Sequence, residues 1–313
     1  MKNNLSLVSI IICTYKRKKW LENLLESISR QSIIPDEILI VDASKETIEY
    51  SLPIELNIKI IESDRMQLTY QKNIGLDQAR GDIIFFLDDD LLLEKNYVEE
   101  TLKVFNNDAL KKIGAISGYI TNEWGDRSVE PGLIMKVAKL FNLYDGEYYP
   151  GSVSNSGIFI ELNKMQPFSG IKPVDFVPGG CTAFRKEVFN QFRPPLEINQ
   201  YGGEDKAFSR MIARDWEMFV CGNAKCEHFS APGGARQTDY SETKSTVKFN
   251  LYIQNNYGLV NNNTTRLRLY YLLISARLYF ISFIMFISII KIKKGSKWFK
   301  RGSGYLAGIL MVE

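Results

Sequence analysis

Residues 83–90 read Ile83-Ile84-Phe85-Phe86-Leu87-Asp88-Asp89-Asp90, a wholly apolar run that stops at three adjacent carboxylates. Five apolar residues in succession suit a strand covered on both faces, which is how parallel sheets bury their strands. The triplet at the end of the run poses an electrostatic conflict. Neighbouring acids in a partly dry setting repel one another, and some of them take up protons unless a cation intervenes. Hard divalent ions such as Mg²⁺ and Mn²⁺ prefer oxygen ligands and would relieve that conflict. In open α/β sheets ligands bind beyond the carboxyl ends of the strands, which is where Asp88, Asp89 and Asp90 would fall. The competing reading is a solvated acidic turn.

The pattern repeats along the chain. Leu7–Cys13, Glu37–Val41 (closed by Asp42), Ile58–Glu62, Asp82–Leu87 and Ile113–Ile120 read as strands. Between them Trp20–Ser29, Thr69–Ala79 and Tyr97–Phe105 read as helices; in the first, Leu21, Leu24, Leu25 and Ile28 recur at helical spacing. Strands and helices alternating in short steps imply right-handed βαβ units and an α/β fold with a Rossmann-like, mostly parallel central sheet flanked by helices. Residues 123–175 are less regular, with one helix expected near Leu133–Phe141. Order returns at Val174–Phe192, and Lys206–Ala213 reads as a helix.

The net charge of +3 over 313 residues is too small to imply nucleic acid as a partner. Cys13, Cys181, Cys221 and Cys226 are scattered without a C-x-x-C, which fits a reduced, cytosol-facing protein. Cys221, Cys226 and His228 lack the usual zinc-finger spacing and an obvious fourth ligand. The apolar run Leu5–Cys13 is too short for a signal peptide and leads into no cleavage site. Leu278–Ile290 is different in kind, with thirteen residues and no charge. As a helix it covers about 20 Å, against a bilayer core of roughly 30 Å. A basic stretch follows, containing Lys291, Lys293, Lys294, Lys297, Lys300 and Arg301 and no acid. Together they fit an interfacial element held at an anionic cytoplasmic membrane surface. The plainer alternative is a pair of helices packed on the core.

Five segments occur in a telling order: VSIIICTYKR, EILIVDAS, QKNIGLDQARGDIIFFLDDD, VDFVPGGCTAFRKEVF and GGEDKAFSRMIAR. In that order they resemble family 2 glycosyltransferases, which have the GT-A fold, and the likeness covers roughly residues 5–230. The resemblance implies a metal-dependent, inverting transfer of a sugar from a nucleotide-diphosphate donor to an acceptor hydroxyl. It divides the chain into a nucleotide-sugar half (1–121), an acceptor half (122–265) and a C-terminal membrane-associating segment (266–313). With the apolar tail, it points to a saccharide or lipid-linked saccharide acceptor and to surface polysaccharide, lipopolysaccharide or cell-wall synthesis, by a protein peripherally bound to the inner face of the membrane.

The resemblance also assigns residues. Asp88 and Asp90 match the two acids of a D-x-D motif, with Asp90 as direct ligand of Mn²⁺ or Mg²⁺ and Asp88 on the ribose or supporting the ion. Asp89, between them, is grouped with the nucleotide-sugar contacts but is the most dispensable of the three. Thr14 and Tyr15 begin the loop that holds the base, and Asp42 matches an acid that accepts a hydrogen bond from it. Lys72 stands where the family often has Arg, which keeps the charge and loses the planar fork for phosphate. Glu204-Asp205 matches the acceptor-side acid pair. Asp205 is the base that takes the acceptor's proton, and Glu204 orients the acceptor or tunes Asp205. An acidic first turn of a helix is the local alternative for this pair. His228, the single histidine, lies 23 residues after Asp205, as does a metal-completing His in some relatives. The Gly-rich stretch after it would close over the nucleotide, and the glycine pairs at 179–180 and 202–203 would allow close substrate approach. A haloacid-dehalogenase-type phosphatase would use Asp88 as nucleophile, but that motif opens its domain, whereas several elements precede it here. A catalytically silent scaffold is the remaining alternative.

Overall fold

The computed structural model describes residues 6–44, 55–125, 133–143, 147–198, 203–229, 239–257, 264–287 and 292–310. Gly202, the stretch 230–234, and residues 288–291 at the end of the apolar tail lie outside them.

Four strands form a parallel block: β1 (Val8–Thr14), β2 (Glu37–Asp42), β3 (Ile58–Glu62) and β4 (Ile83–Asp88), in the order β3-β2-β1-β4. β2 is buried throughout and β4 along its apolar run, as the unbroken runs of Ile, Leu and Phe require. Edge strand β3 is mostly exposed. Helix α1 (Lys18–Ser29) buries Leu21, Leu24, Leu25 and Ile28, the stripe expected from their spacing. Helix α2 (Leu68–Gln78) behaves differently, for it buries Thr69, Gln71 and Lys72. Gln71 Nε2 donates to the carbonyls of Thr14 at 3.1 Å and Val41 at 2.8 Å, which ties the ends of β1 and β2 together. Gly75 lets α2 lie close on the sheet, since a Cβ there would meet Ile11 Cγ2 at 2.5 Å.

The sheet continues with short β5 (Leu91–Leu93), β6 (Ile113–Ile120), β7 (Ile171–Pro173), β8 (Cys181–Arg185) and β9 (Glu217–His228). From β4 the order runs β8-β6-β9-β5, with β7 beside β9. Antiparallel pairing enters here, at β4–β8, β8–β6, β9–β5 and β9–β7, whereas β6 and β9 run parallel. Strands from both sides of residue 121 therefore share one sheet. Helix α3 (Tyr97–Asn107) packs on β6 and β9, and Tyr97 Oη donates to Cys181 O at 2.6 Å.

The chain groups into two compact units, Met1–Arg127 with Leu162–Gly234, and Ser128–Glu161 with Ala235–Glu313. These boundaries differ from divisions at 121 and 265, because β8 and β9 complete the sheet begun by β1. The second unit is helical: α4 (Leu133–Leu140), α6 (Asp239–Tyr257), α7 (Thr265–Ile287) and α8 (Ile292–Leu310). Its core gathers Met135, Ala138, Ile158, Val247, Leu251, Leu267, Tyr271 and Ile309. In α7, which carries most of the apolar tail, Leu278 is buried while Phe280 and Phe283 are exposed. Among the described residues no helix is long and apolar enough to cross a membrane.

Candidate active site

Strand register assembles the site. Thr14 pairs with Asp42, and Cys13 with Asp88, so the ends of β1, β2 and β4 lie level. Antiparallel β8 sets Cys181 opposite Leu87 and so delivers Gly180 to Asp88, whose N–H donates to Gly180 O at 2.7 Å. Antiparallel β9 sets His228 opposite Leu91, one residue beyond Asp90. The next N–H, of Phe229, donates to Asp90 O at 3.1 Å. Asp88, Asp90 and His228 thereby offer two carboxylate oxygens and an imidazole nitrogen that all lie within 4.8 Å of one another.

The triplet divides in a way the sequence did not show. Asp89, expected to be the most dispensable of the three, turns its side chain inward, where Oδ2 accepts from Thr14 Oγ1 at 2.7 Å and Oδ1 from Arg17 Nη1 at 3.0 Å. Thr14 is likewise buried, its hydroxyl spent on Asp89. Arg17 also reaches Asp90 Oδ2 at 3.3 Å. His228 Nε2 stands 3.2 Å from Asp90 Oδ1, and Nδ1 stands 2.8 Å from Glu123 Oε1. Arg17 and Glu123 were not singled out from the sequence. Arg17 follows the Thr14-Tyr15-Lys16 segment directly, a signal that was available. Glu123 had none, since only the pairing of β6 with β9 brings it to His228.

Burial pushes the Asp88 carboxyl above its ordinary value, with help from the charges of Asp90 and Asp205 and against Lys72 and His228. Burial likewise raises Asp89 to about 6, although the bonds from Thr14 and Arg17 pull the other way. For His228 burial favours the neutral ring, but contacts with Asp90 and Glu123 outweigh it and raise the value to about 10. This donor set suits Mn²⁺ or Mg²⁺, and a divalent ion would supply the positive charge that protons otherwise provide. Cys221 and Cys226 take no part; both are buried in β9.

Asp42 Oδ1 accepts from the N–H of Ser44 at 2.8 Å and also from its hydroxyl. That hydroxyl in turn accepts from the N–H of Lys16 at 2.9 Å, which fixes the loop bearing Tyr15. The turn-forming role of Asp42 is therefore real, alongside its place at the strand end.

Glu204 and Asp205 open α5 (Glu204–Ile212), entered through Gly203 at φ +105, a left-handed conformation that favours glycine. Asp205 Oδ1 accepts from the N–H of Lys206 at 2.7 Å, as an acidic first turn does. Glu204 is buried and lies 3.7 Å from Lys72 Nζ, which also donates to Gly179 O at 3.0 Å. Burial and the Asp205 charge push the Glu204 carboxyl up, against the pull of Lys72. Lys72 is thus committed to the buried floor beside Glu204. A small pocket is lined by Lys72, Phe86, Gly179, Glu204, Asp205 and Phe208.

Gly179 and Gly180 join the two groups of acids. A Cβ on Gly180 would fall 1.9 Å from Asp88 Oδ2; one on Gly179 would fall 2.9 Å from Lys72 Nζ and 3.2 Å from Asp205 Cβ. Trp124 stays in the core, edge-on to Tyr119.

The description of glycosyl transferase family 2 matches residues 9–193, more than half the chain, including the ends of β1, β2 and β4 but stopping short of Glu204, Asp205 and His228. The chain belongs to this family. Among curated proteins it is similar to the uncharacterized glycosyltransferase YwdF of Bacillus subtilis, 37 % identical over 99 residues, covering 31 % of this chain and 37 % of that one. It is also similar to the O-antigen chain rhamnosyltransferase RfbN of Salmonella typhimurium, 25 % identical over 225 residues, covering 71 % and 66 %. The match thus spans about a third of the first relative's length and just under two thirds of the second's. Among solved structures the mannosyltransferase PcManGT from Pyrobaculum calidifontis, in complex with GDP-Man and Mn²⁺, superposes with a TM-score of 0.58 at 13 % identity, covering 98 % of this chain and 87 % of that one. The fold is therefore of the GT-A type, with a mixed central sheet flanked by helices and further helices at the C-terminus.

Proposed function

We propose that the chain transfers a sugar, with inversion, from a nucleoside-diphosphate donor to a hydroxyl of a saccharide acceptor. The convergence of Asp88, Asp90 and His228 from two strand ends is the observation that carries this reading. A divalent ion held by these three side chains would offset the negative charge that develops on a departing diphosphate. The loop of Tyr15, fixed by Ser44, and the end of β2 at Asp42 supply the surface for the nucleoside. PcManGT, in complex with GDP-Man and Mn²⁺, supports a donor and cation of these kinds.

On the acceptor side Asp205 takes the proton of the attacking hydroxyl. Glu204 stands behind it, buried and balanced by Lys72, so that the pair does not carry two uncompensated charges. Gly179 and Gly180 keep the acceptor side and the cation cluster close enough for in-line attack.

The acceptor is a saccharide presented at a membrane, and the protein docks peripherally on an anionic inner surface. Exposed Phe280 and Phe283 on α7 and the basic residues Lys297 and Lys300 on α8 support that part. RfbN, an O-antigen chain rhamnosyltransferase, supports a role in surface polysaccharide synthesis.

Thermal-shift measurements with UDP-, dTDP-, GDP- and CMP-sugars, with and without Mn²⁺, test the reading. A ligand that binds the native state alone raises its melting temperature. One sugar nucleotide should stabilise the protein in a Mn²⁺-dependent way. Stabilisation by none of them, together with hydrolysis of an aryl phosphate through a phospho-aspartyl intermediate, would replace this reading with a phosphatase.

A further inference from the structure

Glu123 lies on the turn that leaves β6, and the parallel pairing of β6 with β9 carries it alongside His228. Asn122 and Thr121 already hold the strand ends. Asn122 Nδ2 donates to His228 O at 2.9 Å, and His228 N–H donates to Asn122 Oδ1 at 3.0 Å. Thr121 N–H donates to Cys226 O at 2.8 Å. The Glu123 carboxylate engages the imidazole, with Oε1 2.8 Å from Nδ1, while Nε2 on the far side of the ring faces Asp90 Oδ1 at 3.2 Å.

We propose that Glu123 is a positioning residue for a divalent cation, holding the proton of His228 on Nδ1 and presenting Nε2 to the cluster with Asp88 and Asp90. The inference rests on the reading of those three side chains as the cation site. A neutral imidazole ligates through one nitrogen only, so the group bonded to the other nitrogen decides which is offered. A carboxylate in that place also fixes the ring plane and makes the ligating nitrogen more basic. The chain has one His, which leaves this ligand without a substitute. Arg17 holds Asp90 through Oδ2, so Asp90 and His228 are each braced by a residue outside the ligand set.

Mn²⁺ titrated into the full chain, with the free ion followed by electron paramagnetic resonance, tests the proposal without any turnover. Glu123→Ala should weaken Mn²⁺ by about 10- to 100-fold. Glu123→Gln keeps a neutral acceptor at Nδ1 and should weaken it less. The melting temperature of either variant without metal should stay near that of the wild type. Ring ¹⁵N shifts in the presence of Mg²⁺ report His228 alone, and should show the Nδ1–H tautomer in the wild type and a mixture in Glu123→Ala. If Glu123→Ala binds Mn²⁺ as the wild type does while His228→Ala binds it weakly, the role of Glu123 is overturned and the cation site stands. If His228→Ala also binds as the wild type does, or the wild type binds no Mn²⁺, both are overturned. An affinity loss in Glu123→Ala that comes with a large fall in metal-free melting temperature overturns the positioning role in favour of a general effect on the fold.

Discussion

Two sets of acids around the same sheet are treated in opposite ways. Glu37 and Asp108 belong to the scaffold. Burial alone would raise the Glu37 carboxyl, but the Ser9 hydroxyl and the Arg80 N–H and Nε outweigh it and hold it below its ordinary range. Asp108 is held down against burial by the N–H of Ile113, by Arg185 at 2.9 Å and by the N–H of Lys112. Asp88, Asp89 and Glu204 are enclosed more deeply by protein atoms, and there burial wins and their carboxyls move up. The scaffold acids find enough donors within the chain, whereas the site acids fall short. Such a shortfall is costly to stability and persists where a ligand is to supply what is missing.

The largest expected effect separates turnover from fold. Asp205→Asn should lower transfer by about 10²- to 10⁴-fold, with nucleotide binding and melting temperature nearly unchanged in calorimetry. A large loss of binding would remove Asp205 from the role of base. Asp108→Asn should do the reverse. It leaves the Arg185 guanidinium buried without its charged partner, and urea unfolding should show a loss of roughly 3–5 kcal/mol. Gly180→Ala sharpens the contrast, because it adds no charge and removes none. Its methyl group competes with the Asp88 carboxylate for one place, so transfer should fall by about 10²-fold through misplacement. Retention of full Mn²⁺ affinity in this variant would show that Asp88 moves freely.

Smaller effects follow in stability. Asp88→Asn relieves an acid that burial disfavours, so the metal-free protein should be as stable as the wild type or more stable by about 0.5–2 kcal/mol. A loss comparable to that of Asp108→Asn would erase the distinction between the two sets. The scaffold acids also set an acid limb. With folded values below 4.5 for Glu37 and below 3.8 for Asp108, their stabilisation is complete above those ordinary values and is lost as pH falls through the lowered ones. Glu37→Gln should be less stable than the wild type at pH 7, and the difference should shrink as pH drops below about 4.

The parallel block was legible because Ile, Val, Leu and Phe in unbroken runs have few other ways to be buried. Ile58–Glu62 and Ile113–Ile120 form strands with the bounds expected for them. β9 was not legible as a strand. Its residues Cys221, Cys226 and His228 drew attention as possible ligands, although the segment from Glu217 to His228 buries Met218, Val220, Cys221, Ala224 and Cys226 along one continuous strand. Asp88 and Asp90 were singled out by motif order and His228 by its spacing after Asp205, but what surrounds them was not. Arg17 meets Asp89 and Asp90 across more than seventy residues, and Glu123 meets His228 across more than a hundred. Such contacts depend on register, and register is a property of the assembled sheet. Arg80 is exposed, yet its guanidinium still bonds Glu37.

Isothermal titration of a sugar nucleotide in the presence and absence of Mn²⁺, into the wild type and Asp90→Ala, tests the central claim most directly. The account expects affinity that depends on Mn²⁺ in the wild type and loses that dependence in Asp90→Ala. Equal Mn²⁺ dependence in the two proteins would contradict it and place the cation elsewhere.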